Sequence, residues 1–211
     1  MLKTEYEELD KVIGGLENGK LYTLASRPGV GKSTLAINII NNAFKQSKDK
    51  ILYINLETPK DLLKERFTSD NIEIIDTPRI TIEEIKNKCE STTDLSLIVV
   101  DYVQLIYTSS FNGSRLEERK YITQIFKSLA ADLNVPILVL SQLSRDMIDY
   151  ENQDFSHLKL TESISLLQDS DRTIFLYRDS YLNKNNKSSL NKDYRMKIVN
   201  TVKNIVVVVI P

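Results

Sequence analysis

The chain is short of several residue types. Of 211 residues, one is cysteine, one is histidine and none is tryptophan. A lone Cys89 excludes an intrachain disulfide and a multi-cysteine metal cluster, and it fits a reducing cytoplasm. It falls in a helix-like stretch from Thr81 to Glu90, where a packing thiol is expected rather than a reactive one. His157 lies in a polar segment and reads as a loop residue rather than a catalyst. No charge sign dominates: 28 Lys and Arg face 29 Asp and Glu, for a net charge of −1. That balance offers no global attraction to nucleic acid, although the placement of charges, not their sum, sets a local field. No apolar run approaches the ~20 residues of a membrane-spanning helix. Met1 to Asp10 is charged and lacks the apolar core of a signal peptide. The expectation is a cytoplasmic protein with no membrane partner.

What is present is a globular composition, with 41% apolar and 27% charged residues. The length fits one α/β domain over residues 1–211 with an ample core. Residues 1–19 form a polar lead-in with a Gly14-Gly15 turn. Apolar strand-like runs then alternate with helical patterns. Strands are expected at Lys20 to Ala25, Ile51 to Leu56, Ile72 to Ile75, Leu95 to Val100, Pro136 to Leu140 and Arg172 to Tyr177. Arg195 to Lys203 and Ile205 to Ile210 read as a closing pair. Helices are expected at Ser33 to Phe44, Pro59 to about Phe67, from Thr81 and from Arg115 to Leu133. Thr81 followed by Glu84 is a capping-box pattern. Ile122, Ile125, Phe126, Leu129, Ala130 and Leu133 recur at helical spacing along the longest of these helices. Tyr107 to Ser114, Ser144 to Thr161 and residues 179–193 read as polar loops, the last of them mobile. The alternation predicts a doubly wound, mostly parallel sheet with a β-rich end.

Ligands in such sheets bind beyond the carboxyl ends of the strands. Four segments with chemistry in them end there. Ser26-Arg27-Pro28-Gly29-Val30-Gly31-Lys32-Ser33-Thr34 joins a strand to a helix. Small residues let backbone N–H groups turn onto phosphate oxygens at a helix start, whose dipole favours anions. Lys32 would reach the β and γ phosphates of ATP, and the Ser33 hydroxyl would ligate Mg²⁺. The general pattern has glycine where this chain has Ser26. Asp101 ends the most apolar internal strand; it reads either as a carboxylate holding Mg²⁺ or as a strand-end hydrogen-bonding group. Glu57 reads as a general base for attacking water or as the cap of the next helix. Gln142 reads as an amide touching the γ phosphate or as a buried polar group. Arg115, Arg145 and Lys159 are the candidates for a nucleic-acid surface. Asp146, Asp149, Glu151 and Asp154 crowd the same region, so these residues alone favour a solvated loop.

Taken in order, these segments resemble the C-terminal ATPase domain of DnaB-type replicative helicases, within the RecA-like group. The resemblance rests on Tyr6-Glu7-Glu8-Leu9-Asp10, the phosphate loop, Asn55-Leu56-Glu57-Thr58 and Ile98-Val99-Val100-Asp101-Tyr102-Val103-Gln104-Leu105. It continues through Leu133-Asn134-Val135-Pro136, Ser141-Gln142-Leu143-Ser144-Arg145 and Gln168-Asp169-Ser170-Asp171. It implies a RecA-like fold, ATP and Mg²⁺ as ligands, and Glu57 as catalytic base. It also implies Gln142 as the link to DNA loops, single-stranded DNA as substrate, a hexameric ring and replication proteins as partners. The family accepts a small residue other than glycine at the Ser26 place. Where the family has arginine before a Glu-Ser pair and glycine after it, this chain has Thr161 and Ile164. Where the family carries its lysine and arginine fingers, this chain aligns Asn200 and Val202, and Lys203, one position along, is the candidate finger. The family's N-terminal domain and linker helix have no counterpart in this sequence. Two functions follow: a helicase motor, or a diverged ATP-binding module that acts on a replication helicase. A small-molecule kinase would need an arginine-rich lid, and residues 179–193 hold no arginine.

Overall fold

The computed structural model describes residues 1–109, 111–143, 169–178, 197–202 and 205–210. The expected loops over Ser144 to Thr161 and 179–193 fall outside the described residues. Among the described residues, eight strands form one sheet. In chain order they are β1 (Leu21–Ser26), β2 (Lys50–Asn55), β3 (Ile72–Ile75), β4 (Leu95–Asp101), β5 (Ile137–Gln142), β6 (Arg172–Arg178), β7 (Lys197–Val202) and β8 (Ile205–Ile210). The spatial order is β3-β2-β4-β5-β1-β6-β8-β7. Every neighbouring pair is parallel except the terminal β7–β8 pair, which is antiparallel.

The described helices are α1 (Glu7–Ile13), α2 (Lys32–Ser47), α3 (Lys60–Lys64), α4 (Ile82–Ser91) and α5 (Arg115–Leu133). The central strands read as continuous apolar runs because both faces are covered. Alternate residues of one strand enter opposite cores. Leu97 and Val99 of β4 pack with Leu35, Ile39 and Ala43 of α2. Ile98 and Val100 pack with Ile85 and Cys89 of α4 and with Phe126 and Leu129 of α5. Cys89 is fully buried, and burial pushes its thiol up to about 12, so it packs as an inert apolar group.

The helix ends follow the local signals. Thr81 and Ser114 each close a capping box, with Glu84 and Glu117. Asn134 adopts a left-handed conformation and stops α5. The lead-in is more ordered than its polar composition predicts. Leu9 and Ile13 of α1 are buried, and Leu2 pairs with Leu16 in an isolated bridge. A few apolar residues in a polar context carry too weak a periodicity to announce a helix of seven residues.

At the opposite end of the sheet from the strands' carboxyl ends, Asp171 joins three elements. Its carboxylate accepts from the Leu21 N–H at 2.8 Å and from Lys127 of α5, and Lys20 stands 3.5 Å away. Partial burial pushes the carboxyl up, but Lys127, the Leu21 N–H and Lys20 together pull it below its ordinary value of 3.8. A depressed carboxylate contributes stability above its unfolded pKa and loses it as pH falls through the lower folded value. Asp171→Asn is therefore expected to lower the urea midpoint at pH 7 and to flatten the acid limb below pH ~4. Unfolding curves from pH 2 to 7 test this, and parallel acid limbs for both proteins would refute it.

Candidate nucleotide site

The parallel register brings four strand ends to one edge. Ser26 lies opposite Gln142, and Asn55 lies opposite Asp101. Beyond them opens a cleft of about 340 Å³, within the size range of small-ligand sites. Arg27, Pro28, Gly29, Gly31, Lys32, Ser33, Thr34, Glu57 and Gln142 line it. All nine come from the segments singled out in the sequence. A larger hollow of about 650 Å³ opens at the β3 edge, beside Lys60, Lys64 and Phe67, and none of the candidate residues lines it.

The loop's shape follows from its composition. Gly29 and Gly31 have φ of 75° and 112°, in the region that disfavours side chains. Gly31 is the residue before α2, so the first N–H groups of that helix open toward the cleft. Val30 is buried in the core beneath the loop. Ser26 has no positive φ, which is why glycine is not required there. It is the last residue of β1 and fully buried, its hydroxyl donates to the Arg27 carbonyl at 2.9 Å, and its own carbonyl accepts from Leu143 N–H.

Asp101 lies beneath the cleft and is 1% exposed. Its Oδ1 accepts from Lys32 Nζ at 2.9 Å, and its Oδ2 accepts from the Tyr53 hydroxyl at 3.0 Å. Lys32 Nζ also stands 5.4 Å from the Tyr102 ring centroid. Burial, with the nearby Glu57 and Asp101 charges, holds the Tyr102 phenol above its ordinary range.

Glu57 is exposed to the cleft two residues past β2. The Asn55 side chain, buried at the strand end, accepts from Thr58 N–H at 3.3 Å and donates to the Thr58 carbonyl. These bonds close a turn that directs Glu57 outward. The helix that follows starts after Pro59, with no side-chain cap, so Glu57 does not serve as its cap.

Gln142 is joined to the next loop through Gln104. Gln104 Nε2 donates to Ser141 Oγ at 2.8 Å and to the Gln142 carbonyl at 3.1 Å, and Gln104 Oε1 accepts from Gln142 N–H at 3.4 Å. Gln104 belongs to a short 3-10 turn, Val103–Leu105, that leads into the polar loop from Tyr107.

Arg115 stands apart from the cleft at the start of α5. It pairs with Glu118 at 2.9 Å and lies 4.9 Å from the Tyr107 ring centroid. Arg145, Lys159 and Lys203 lie outside the described residues.

The chain matches the family described as "DnaB-like helicase C terminal domain" over residues 1–75 and 65–207. It belongs to that family. A "Probable replicative DNA helicase" of Trieres chinensis is 31% identical, over 89% of this chain and 49% of the relative. The "Replicative DNA helicase DnaB" of Geobacillus stearothermophilus is 30% identical over the same shares, 89% and 49%. The chain thus spans about half the length of the curated relatives it matches. Among solved structures, one described as an ATPase domain aligns with a TM-score of 0.76 at 24% identity, covering 98% of this chain and 86% of that one. A DnaB-like replicative helicase, solved in a study of its interactions with primase, aligns at 0.74 and 24% identity, over 100% and 63%. The fold is therefore RecA-like.

Tyr53 and Arg66 of this DnaB-like site were not singled out in the sequence, and Tyr102 stood there only as part of the segment Ile98 to Leu105, with no role of its own. Tyr53 sits within an apolar strand run, where nothing local marks it. Arg66 donates from Nη2 to Thr34 Oγ1 at 3.1 Å, tying the segment after Glu57 to the phosphate loop's helix. No local signal marks it, because its partner lies 32 positions away.

A family of this kind implies ATP and Mg²⁺. Mg²⁺ takes hard oxygen ligands, few of them from protein, and completes its shell with water and phosphate. A cleft-lining Ser33 hydroxyl and a buried carboxylate at Asp101, next to a loop of inward N–H groups, fit that demand.

Proposed function

We propose that this chain is a single RecA-like ATPase domain of a DnaB-type DNA helicase motor, working in the cytoplasm. It hydrolyses ATP with Mg²⁺ and couples hydrolysis to translocation on single-stranded DNA within a hexameric ring, alongside other replication proteins. The observation that carries this reading is the gathering of the phosphate loop, Glu57 and Gln142 around one cleft, with Asp101 beneath Lys32.

Residues 26–34 hold the phosphates through backbone N–H groups, and Lys32 places a point charge on the β and γ oxygens. Ser33 and Asp101 hold the metal, which when bound neutralises developing phosphate charge. Water attacks the γ phosphorus, its proton passes to the Glu57 carboxylate, and the bond to the β-phosphate oxygen breaks. Gln142 senses the γ phosphate and passes the change through Gln104 to the loop before Arg115. Arg145 and Lys159 supply further backbone-phosphate contacts, and Lys203 is offered to the neighbouring subunit's nucleotide.

The test is ATP turnover against added single-stranded DNA, measured with particle mass in the presence and absence of ATP. The expected result is DNA-stimulated turnover that declines with salt, together with an ATP-dependent gain in mass. Equal turnover with and without DNA would sink the motor. Nucleotide binding with negligible turnover would identify the chain instead as an ATP-binding module acting on another helicase, the reading that Asn200 and Val202 favour.

A further inference from the structure

Asp101 divides its two oxygens between partners of different kinds. Oδ1 accepts from Lys32, whose flexible stem starts in the phosphate loop. Oδ2 accepts from Tyr53, whose ring is fully buried on β2 and rests edge-on against Phe67 at 5.6 Å between centroids. Lys32 has an alternative partner in the phosphates of a bound nucleotide. Tyr53 is fixed: its strand lies between β3 and β4 and its ring is locked in the core. Among the described residues, Tyr53 is the side chain that still holds the carboxylate when Lys32 turns to a phosphate.

We propose that Tyr53 is a positioning residue for the metal: its hydroxyl pins Asp101 Oδ2 and so leaves Oδ1, which here accepts from Lys32, as the oxygen that would engage Mg²⁺. The inference rests on the proposed function, in which Asp101 is the metal-side carboxylate. The phenol is suited to the task. A phenol carries its proton at neutral pH, so the buried hydroxyl, 3.0 Å from Asp101 Oδ2, is a donor to the carboxylate. A carboxylate held at one oxygen by a rigid donor loses less rotational freedom when the other oxygen is engaged. The same hydroxyl also offsets the burial of Asp101, an ordinary structural benefit, so the test must separate the two roles.

The test is Tyr53→Phe, which keeps the ring and its contact with Phe67. Binding of a fluorescent ATP analogue is titrated in EDTA and across a Mg²⁺ series, with thermal melting as a check on folding. The expected result is a Mg²⁺ half-saturation raised about tenfold, with affinity in EDTA unchanged within about twofold. In an Asp101→Asn background, where the carboxylate is gone, the same substitution is expected to leave the Mg²⁺ titration unmoved. If Tyr53→Phe lowers EDTA and Mg²⁺ affinities equally, or changes neither, the positioning role is overturned. It is also overturned if the Mg²⁺ shift persists undiminished in the Asp101→Asn background. Should Tyr53→Phe not fold, incorporation of 3-fluorotyrosine into the otherwise unchanged chain takes its place. A buried fluorine signal that responds to Mg²⁺–nucleotide and not to metal-free nucleotide supports the role, and the absence of one overturns it. If the unchanged protein shows no Mg²⁺-dependent nucleotide binding at all, the proposed function itself fails, a result distinct from failure of Tyr53 alone.

Discussion

Glu57→Gln is expected to lower ATP turnover by about 10²- to 10⁴-fold while leaving Mg–ATP affinity within about twofold, the range of a lost general base. The substitution is nearly isosteric and falls on an exposed side chain, so the fold has no reason to respond. The turn that presents Glu57 is made by other groups. Asn55 and Thr58 close it, and the Leu56 N–H is fixed to the Asp101 carbonyl at 2.7 Å. Only the capacity to accept a proton is removed. Single-turnover hydrolysis, measured beside equilibrium binding, separates the two quantities. Turnover within about threefold of the unchanged protein, far short of a lost base, would move that role to another residue.

Lys32→Ala is expected to act on both binding and stability. Loss of a charge-assisted contact to phosphate weakens ATP binding about 10- to 150-fold. The stability effect comes from the structure rather than the ligand. The Lys32 and Asp101 side chains are 9% and 1% exposed, so removing the ammonium leaves a buried carboxylate held by the Tyr53 hydroxyl and no longer neutralised by Lys32. Breaking a buried pair from one side costs roughly 3–5 kcal/mol. The double variant Lys32→Ala, Asp101→Asn is expected to recover much of that stability, since no uncompensated charge remains, and none of the nucleotide affinity. Urea unfolding of the two single variants and the double, with nucleotide titration of each, reads out both effects. Equal stability of Lys32→Ala and the unchanged chain would mean that the pair is solvated in solution.

The sequence by itself specified the β/α alternation and the phosphate loop. Apolar strand runs, helical spacing in α5, the capping box at Thr81 and glycine at positions 29 and 31 are local signals, set by backbone sterics and by which residues tolerate burial. It also placed Ser26, Glu57, Asp101 and Gln142 at strand ends, since the end of an apolar run is visible in one dimension. It missed α1, where a few buried apolar residues in a polar stretch make too faint a pattern. It left open whether Glu57 caps a helix, and only the observed start of α3 after Pro59 decided that.

What the tertiary structure alone decided is which of these ends meet. Strand order and register depend on pairings between residues far apart in the chain, and no local pattern encodes them. Tyr53 lies 48 residues from Asp101, and Arg66 lies 32 from Thr34. A tyrosine within an apolar strand looks in sequence like any other core residue. Its hydroxyl becomes informative only when folding sets it 3.0 Å from a buried carboxylate beneath the phosphate loop.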